Sequence, residues 1–299
     1  MTVVLKIGGA RAVDPAGALA DVATLSDSHD IAIVHGGSTA VDETLERLGI
    51  EPEYVETPSG VIGRFTDDET IKVFQMVMPG LVNTQLVAGL QSEGVNAVGL
   101  SGVDGKLLSG PRKSAVRVVE DGKRKIRRGD HSGSLKRVNA ELLETLLADG
   151  YTPVASPPMA GEESDGSVTP VNTDADRAAA AVAGALGATL VILTDVPGIL
   201  ADPEDETTLI ERVETSEDWQ TMETAAEGFM GRKVMAIREA LESGAPRAVV
   251  ADANAAEPVV SALEGNGTHV HSSAISHEGN NTSAPDDEGT SSTTGGAEQ

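Results

Sequence analysis

Short apolar runs alternate along this chain with stretches whose apolar positions recur at helical spacing. TVVLKI, Thr2 to Ile7, precedes a helical pattern from Pro15 to Leu25, and IAIVH, Ile31 to His35, precedes another from Ser38 to Leu48. Runs of this length rich in Val and Ile read as strands, and their alternation with helical segments predicts βαβ units joined in a parallel sheet.

The rhythm continues through helical segments from Asp67 to Ser92, the strand NAVGL, a helix from Ala140 to Ala148 and the strand YTPVAS. It repeats with a helix from Asp174 to Leu186, the strand ATLVILTD, a helix from Phe229 to Ser243 and the strand APRAVVAD. The predicted fold class is α/β, an open, mostly parallel sheet sandwiched by helices. From His271 to Gln299 the chain turns to Ser, Thr, Gly, Asn and acidic residues with almost nothing to bury, so an acidic, disordered tail is expected there.

Composition narrows the function. The chain of 299 residues has no cysteine, which excludes disulfides, thiolate metal sites and cysteine nucleophiles. No run reaches the roughly 20 uninterrupted apolar residues of a membrane span, and the N-terminus lacks a signal-peptide pattern, so a cytoplasmic protein with no membrane partner is expected. Acidic residues number 47 against 22 basic ones, a formal charge of -25 that argues against nucleic-acid binding. With few lysines and 2% aromatic residues, that balance fits a halophilic, salt-rich setting, where salt screens the repulsion among surface carboxylates.

One segment inverts the balance. Between Arg112 and Arg137 lie ten of the basic residues and only three acidic ones, Glu120, Asp121 and Asp130. SAVRVV, a turn at Glu120 to Gly122, and KRKIRR predict a β-hairpin that carries this charge.

Candidate chemistry clusters at predicted strand ends. Lys6-Ile7-Gly8-Gly9 and His35-Gly36-Gly37-Ser38 each place glycines where backbone N–H groups can approach an anion, the second opening a helix. Either could be no more than a tight connection. The P-loop pattern GxxxxGK[ST] is absent, and no GxGxxG opens a helix.

Asn172-Thr173-Asp174-Ala175-Asp176 leads into an alanine-rich helix, where Asp176 could equally be a helix cap. Thr194-Asp195-Val196-Pro197-Gly198 ends a strand at the edge where ligands bind in open α/β sheets, or is simply a turn. Gly228-Phe229-Met230-Gly231-Arg232-Lys233 opens a helix with positive charge against the helix dipole, which calls for a companion anion. The six histidines form no helical ligand pair, so no protein metal site is expected. Asp130-His131-Ser132 has the residue types of a hydrolytic triad, but sequence neighbours cannot align as one.

Together these motifs resemble the amino acid kinase family, in its acetylglutamate kinase branch, over Thr2 to about Val270. The resemblance implies one kinase domain over residues 1–270, with an acyl-substrate lobe to about 170 and a nucleotide lobe over 171–270. It implies that Lys6 and Lys233 stabilise the transferring phosphoryl group and that Asp176 organises them. Gly36, Gly37, Arg64 and Asn172 take the acyl substrate, Arg64 holding its free carboxylate. Gly8, Gly9, Asp195 and Gly198 take the nucleotide, with ATP and Mg2+ as the phosphoryl source and a homodimer as the assembly. Ser38 and Phe229 depart from the family's usual glycines without removing a charge.

The basic hairpin, the segment after it and the tract at Ser156 and Pro157 are more similar to kinases acting on glutamate or 2-aminoadipate attached to an acidic amino-group carrier protein of the LysW type. That resemblance implies carrier docking by Arg124, Lys125, Arg127 and Arg128, and synthesis of arginine or lysine as the setting. Free N-acetylglutamate is the alternative acceptor, and a non-catalytic amino-acid or nucleotide sensor is the alternative from another class.

Overall fold

The structure, a computed structural model, describes residues 1–8, 15–58, 60, 62–120, 122–226 and 228–275, with the side chains of Gly228 and Phe229 excepted. Its first strands are β1 (Thr2–Ile7), β2 (Asp30–His35), β3 (Tyr54–Glu56), β4 (Ile62–Arg64) and β5 (Ala97–Gly102). Then come the hairpin strands β6 (Leu108–Glu120) and β7 (Lys123–Gly133), followed by β8 (Arg137–Val138), β9 (Thr152–Glu162) and β10 (Val168–Val171). The last are β11 (Thr189–Thr194), β12 (Arg212–Val213), β13 (Arg247–Asp252) and β14 (Thr268–His271).

The helices are α1 (Ala16–Leu25), α2 (Ser38–Arg47), α3 (Asp68–Gln75), α4 (Asn83–Ser92) and α5 (Ala140–Ala148). They continue with α6 (Ala175–Leu186), α7 (Ser216–Ala225), α8 (Gly228–Glu242) and α9 (Pro258–Glu264).

The main sheet runs β12-β14-β13-β11-β1-β2-β9-β6-β7, with β5, β8 and β10 paired beside that path. Its centre is parallel, β13 on β11, β11 on β1, β1 on β2 and β2 on β9, as the strand-helix rhythm predicts. The antiparallel pairs β13/β14, β6/β7, β9/β10 and β6/β8 lie toward its margins.

Both faces are covered, so central strands bury alternate side chains in two cores. Val4 of β1 joins Ala179, Val182, Ala183 and Ile237 under α6 and α8. Val3, Leu5 and Ile7 pack on the other side against Leu19, Val22, Leu86, Leu90 and Val259, from α1, α4 and α9. Small residues let α6 approach closely: a Cβ on Gly184 would stand 1.9 Å from Ser243 Oγ at the end of α8.

Helix α3 continues into α4 through a π-helical segment, Met76–Val82, built around Pro79. Proline has no N–H to donate and its ring crowds the preceding turn, which accounts for the widened winding. The whole run, Asp68–Ser92, is long and apolar enough by length and composition to cross a membrane. It nevertheless buries Ile71, Phe74, Val77, Met78, Leu86 and Leu90 within the protein.

The described chain ends in β14 and a short 3-10 turn, Ser272–Ile275, that buries Ala274. The segment expected to be disordered therefore has its first five residues inside the described structure, and 276–299 lie outside it.

Candidate active site

Parallel strands present their carboxyl ends together, and the candidate residues collect there. Lys6 is the fifth residue of β1, paired with Val34 of β2 and Ile192 of β11, and is 6% exposed. Asp176 enters from the first turn of α6 and is 9% exposed. Its Oδ1 lies 2.5 Å from Lys6 Nζ, and its Oδ2 lies 3.4 Å from Nζ of Lys233 on α8. Residues 170 positions apart in sequence thus form one buried ion cluster.

Asp176 does not cap its helix. That work falls to Asp174, whose side chain accepts from the Arg177 N–H at 3.0 Å, leaving the Asp176 carboxylate free for the lysines. Burial opposes ionisation of Asp176, but the charges of Lys6 and Lys233 outweigh it and hold its carboxyl below the usual carboxylate range. Lys233 titrates below an ordinary lysine, chiefly through burial and also through repulsion by Lys6, with Asp176 acting the other way. Two cations against one anion leave a net positive centre with a fixed geometry, suited to a group with negative charge on several oxygens.

Beside it, β2 ends in the His35-Gly36-Gly37 turn that opens α2. Gly36 N–H donates to the Ile7 carbonyl at 3.0 Å, tying this turn to the end of β1. A Cβ on Gly37 would meet Met78 Sδ of the π-helical segment at 2.6 Å, so close packing excludes a side chain there. Gly8 follows β1 directly, while Gly9 lies outside the described residues.

Arg64 ends β4 with its side chain 5% exposed, paired with Asp42 of α2. It also donates to the Ser38 carbonyl at 3.2 Å and to Tyr54 Oη at 3.0 Å, next to the glycine turn. Asp42 and Tyr54 went unremarked in the sequence because their relation to Arg64 depends on the small β3/β4 hairpin, which has little apolar signature.

Asn172 follows β10 and is laced to the base of the basic hairpin. Its N–H donates to the His131 carbonyl at 2.8 Å, and its carbonyl accepts from Gly133 at 3.0 Å. Its Nδ2 donates to Oγ1 of the fully buried Thr66 at 3.0 Å. Asp130, 2% exposed, accepts from the Thr66 N–H at 3.3 Å and from the Ser132 hydroxyl. Asn172 is thereby held by a buried knot at Thr66, two residues after Arg64, which shows the structural use of Asp130 and Ser132. His131 lies beside Arg112 and 3.7 Å from Asp68, so these three residues form no triad.

On the nucleotide side of the candidate set, Asp195 is exposed after β11 and accepts from Thr194 Oγ1 at 3.2 Å. Gly198 is buried against Thr268, where a Cβ would stand 2.7 Å from Thr268 Oγ1. Packing alone accounts for that glycine. Among the described residues no group of three or more His, Cys, Asp or Glu side chains could hold a metal ion.

The hairpin divides the four residues expected to dock a partner. The register pairs Val116 with Arg127 and Val118 with Lys125, so these share the face on which Val118 is fully buried. Arg127 pairs with Glu53 and lies 4.0 Å over the Phe65 ring, and Lys125 pairs with Glu120 at 2.8 Å. The opposite face carries Arg128 beside Ala115, Arg117 beside Ile126 and Arg124 beside Val119. Arg117, Arg124 and Arg128 are exposed and make no ion pair among the described residues, and Ile126 is 66% exposed. Arg117 was not among the expected docking residues, since only the register places it on this face.

Residues 1–252 match the model of the amino acid kinase family. The chain is similar to the LysW-aminoadipate kinase of Thermus thermophilus, 43% identical over 272 residues, covering 90% of this chain and 99% of that one. It is also similar to the acetylglutamate kinase of Methanopyrus kandleri, 46% identical over 270 residues, covering 89% and 99%. Among solved structures, N-acetylglutamate synthase from Neisseria gonorrhoeae aligns with a TM-score of 0.67 at 24% identity. This chain is covered over 90% of its length and spans 59% of that chain, a likeness of fold.

Proposed function

This chain belongs to the amino acid kinase family, and from that premise we propose that it transfers the γ-phosphoryl group of ATP to the side-chain carboxylate of glutamate or 2-aminoadipate borne by an acidic carrier protein. A carboxylate oxygen attacks the γ-phosphorus, the bond to the β,γ-bridging oxygen breaks, and ADP leaves with that oxygen's charge. No proton needs to move.

Such a transfer requires alignment and neutralisation of charge more than covalent help. Lys6 and Lys233 meet the negative oxygens of the moving group from two sides, and Asp176 keeps both ammonium groups where that charge develops. Gly36 and Gly37 present backbone at the acceptor and at the phosphoryl group, Arg64 takes the acceptor's free carboxylate in exchange for part of its pairing with Asp42, and Asn172 touches the acyl chain. Asp195, Gly198 and Gly8 border the nucleotide. Magnesium would come with the ATP substrate and would neutralise phosphate charge, while Asp176 stays engaged by the two lysines.

The choice of acceptor rests on one observation, the outward face of the hairpin. The two relatives differ by name in acceptor at similar identity, so identity alone does not choose between a carrier-linked and a free substrate. A small acceptor has no use for three exposed arginines, without an ion pair among the described residues, around an exposed isoleucine on a chain of charge -25. An acidic protein does, because complementary charge steers and orients its encounter. In molar salt the Debye length falls to about 3 Å, which removes steering at a distance and leaves contact pairs and the apolar surface of Ile126.

The test is a triple substitution, Arg117→Ser with Arg124→Ser and Arg128→Ser. KM for the carrier-linked acceptor should rise about tenfold at low salt while KM for ATP stays unchanged. Unaltered KM for the carrier-linked acceptor would remove the docking role.

A further inference from the structure

The glycine turn that ends β2 is held from behind by a chain of hydrogen bonds whose direction the chemistry settles. Asn83, at the start of α4, is 3% exposed, and its Nδ2 lies 2.8 Å from the Val154 carbonyl oxygen and 3.0 Å from His35 Nε2. Turning the amide over would set its oxygen against that carbonyl, two acceptors in contact, so Nδ2 is correctly placed. An amide nitrogen only donates. His35 Nε2 therefore accepts, and the imidazole proton sits on Nδ1.

His35 Nδ1 lies 3.0 Å from the Gly36 carbonyl oxygen, which accepts that proton's hydrogen bond. His35 is fully buried, and burial lowers its pKa to about 4, so the neutral ring and this arrangement persist near neutral pH. The Gly36 N–H is bound to the Ile7 carbonyl, so the residue is gripped at both ends.

A trans peptide is planar, with N–H and C=O pointing in opposite directions. Because the Gly36 carbonyl turns toward His35, the Gly37 N–H of the same peptide points the opposite way, one residue after the Gly36 N–H that is bound to Ile7, the β1 residue following Lys6. Among the described residues that N–H makes no hydrogen bond. Met78 Sδ, packed where a Gly37 side chain would be, closes off the turn from the helix side.

We propose that His35, itself oriented by Asn83, is a positioning residue that aims the Gly37 N–H at the phosphoryl group during transfer. The proposal rests on the reading of the Lys6 cluster as the transfer site. Neither residue touches substrate; both act through one peptide plane. Their contribution belongs to the transition state, where a correctly aimed donor strengthens, and so falls on kcat.

The experiment compares His35→Asn, whose amide nitrogen can replace Nδ1 as donor to Gly36, with His35→Gln, whose amide reaches the Nε2 position and leaves Gly36 unbonded. Steady-state kinetics with ATP and the acceptor, alongside thermal melting, give the readout. His35→Asn should keep kcat within about threefold, whereas His35→Gln should lose about 10- to 100-fold in kcat with both KM values nearly unchanged. Equal losses in the two variants, or a loss confined to KM, would overturn the proposal. Should His35→Gln not fold, Asn83→Leu removes the donor to Nε2 at similar volume. It should lower kcat about fivefold at constant KM, and unchanged kcat overturns the proposal. Lys6→Ala in the same assay separates the two layers: if it keeps turnover, the transfer site is misplaced. If it loses turnover while His35→Gln does not, the positioning role alone fails.

Discussion

Lys6 and Lys233 lie 2.5 and 3.4 Å from one buried carboxylate, whereas Arg117, Arg124 and Arg128 stand exposed on a hairpin with no ion pair among the described residues. The residue types are similar and the physics differs. A buried cation is tolerated when a partner repays its lost hydration, and once paired it acts in a medium that screens it little. An exposed arginine costs almost nothing to place, contributes little to stability, and exerts a field that salt erases. The first arrangement suits bond making. The second suits finding and orienting a partner.

Breaking the buried region should have the largest effect. Lys6→Ala and Lys233→Ala should each lower kcat by about a thousandfold with smaller changes in KM, as for loss of a charge that acts mainly in the transition state. Single-turnover assays would check this, and retained turnover in both variants would remove the mechanism. Asp176→Asn should cost stability as well as rate, roughly 3 kcal/mol from two facing lysines left without their carboxylate. A variant slow but fully stable would show that Asp176 serves chemistry alone.

On the exposed region, effects should be smaller and should divide by face. Lys125→Ser with Arg127→Ser should loosen the hairpin, exposing Phe65 to proteolysis, and raise KM for the carrier-linked acceptor less than the triple arginine substitution does. The reverse order would mean that the inward face meets the partner.

A subtler effect sharpens the contrast through pH. Lys233 loses its proton at lower pH than an ordinary lysine because burial and Lys6 disfavour its charge. As pH rises through that lowered pKa the site loses positive charge, so kcat should fall on the alkaline side before an ordinary lysine would titrate. Lys233→Arg should move this limb upward if the variant turns over, since guanidinium stays charged. An unmoved limb would assign it to another group.

Much of the fold was legible because the central strands are buried on both faces and read as plain apolar runs, TVVLKI and ATLVILTD among them. Other elements carry weaker signals. Helix α7 buries only Trp219 and Met222, although its capping box at Thr215 and Asp218 was there to be read. Strand β14 lies in a segment whose composition turns polar, and its pairing with β13 is a tertiary contact that local pattern does not encode. In the site, the types at Lys6, Asp176 and Lys233 were legible from motif, but their meeting depends on α6 and α8 packing over β1. The hairpin was legible as charge. Which arginines face outward depended on the pairing of Val118 with Lys125, since a shift of one residue would exchange the two faces.

The most direct test of the central claim is to trap the product. With ATP, the enzyme is offered carrier-linked glutamate, carrier-linked 2-aminoadipate or free N-acetylglutamate, and hydroxylamine captures any acyl phosphate as a hydroxamate. Capture with a carrier-linked acceptor, and little or none with free N-acetylglutamate, is the predicted result. Capture only with N-acetylglutamate would contradict the account and leave the outward face of the hairpin without the partner assigned to it.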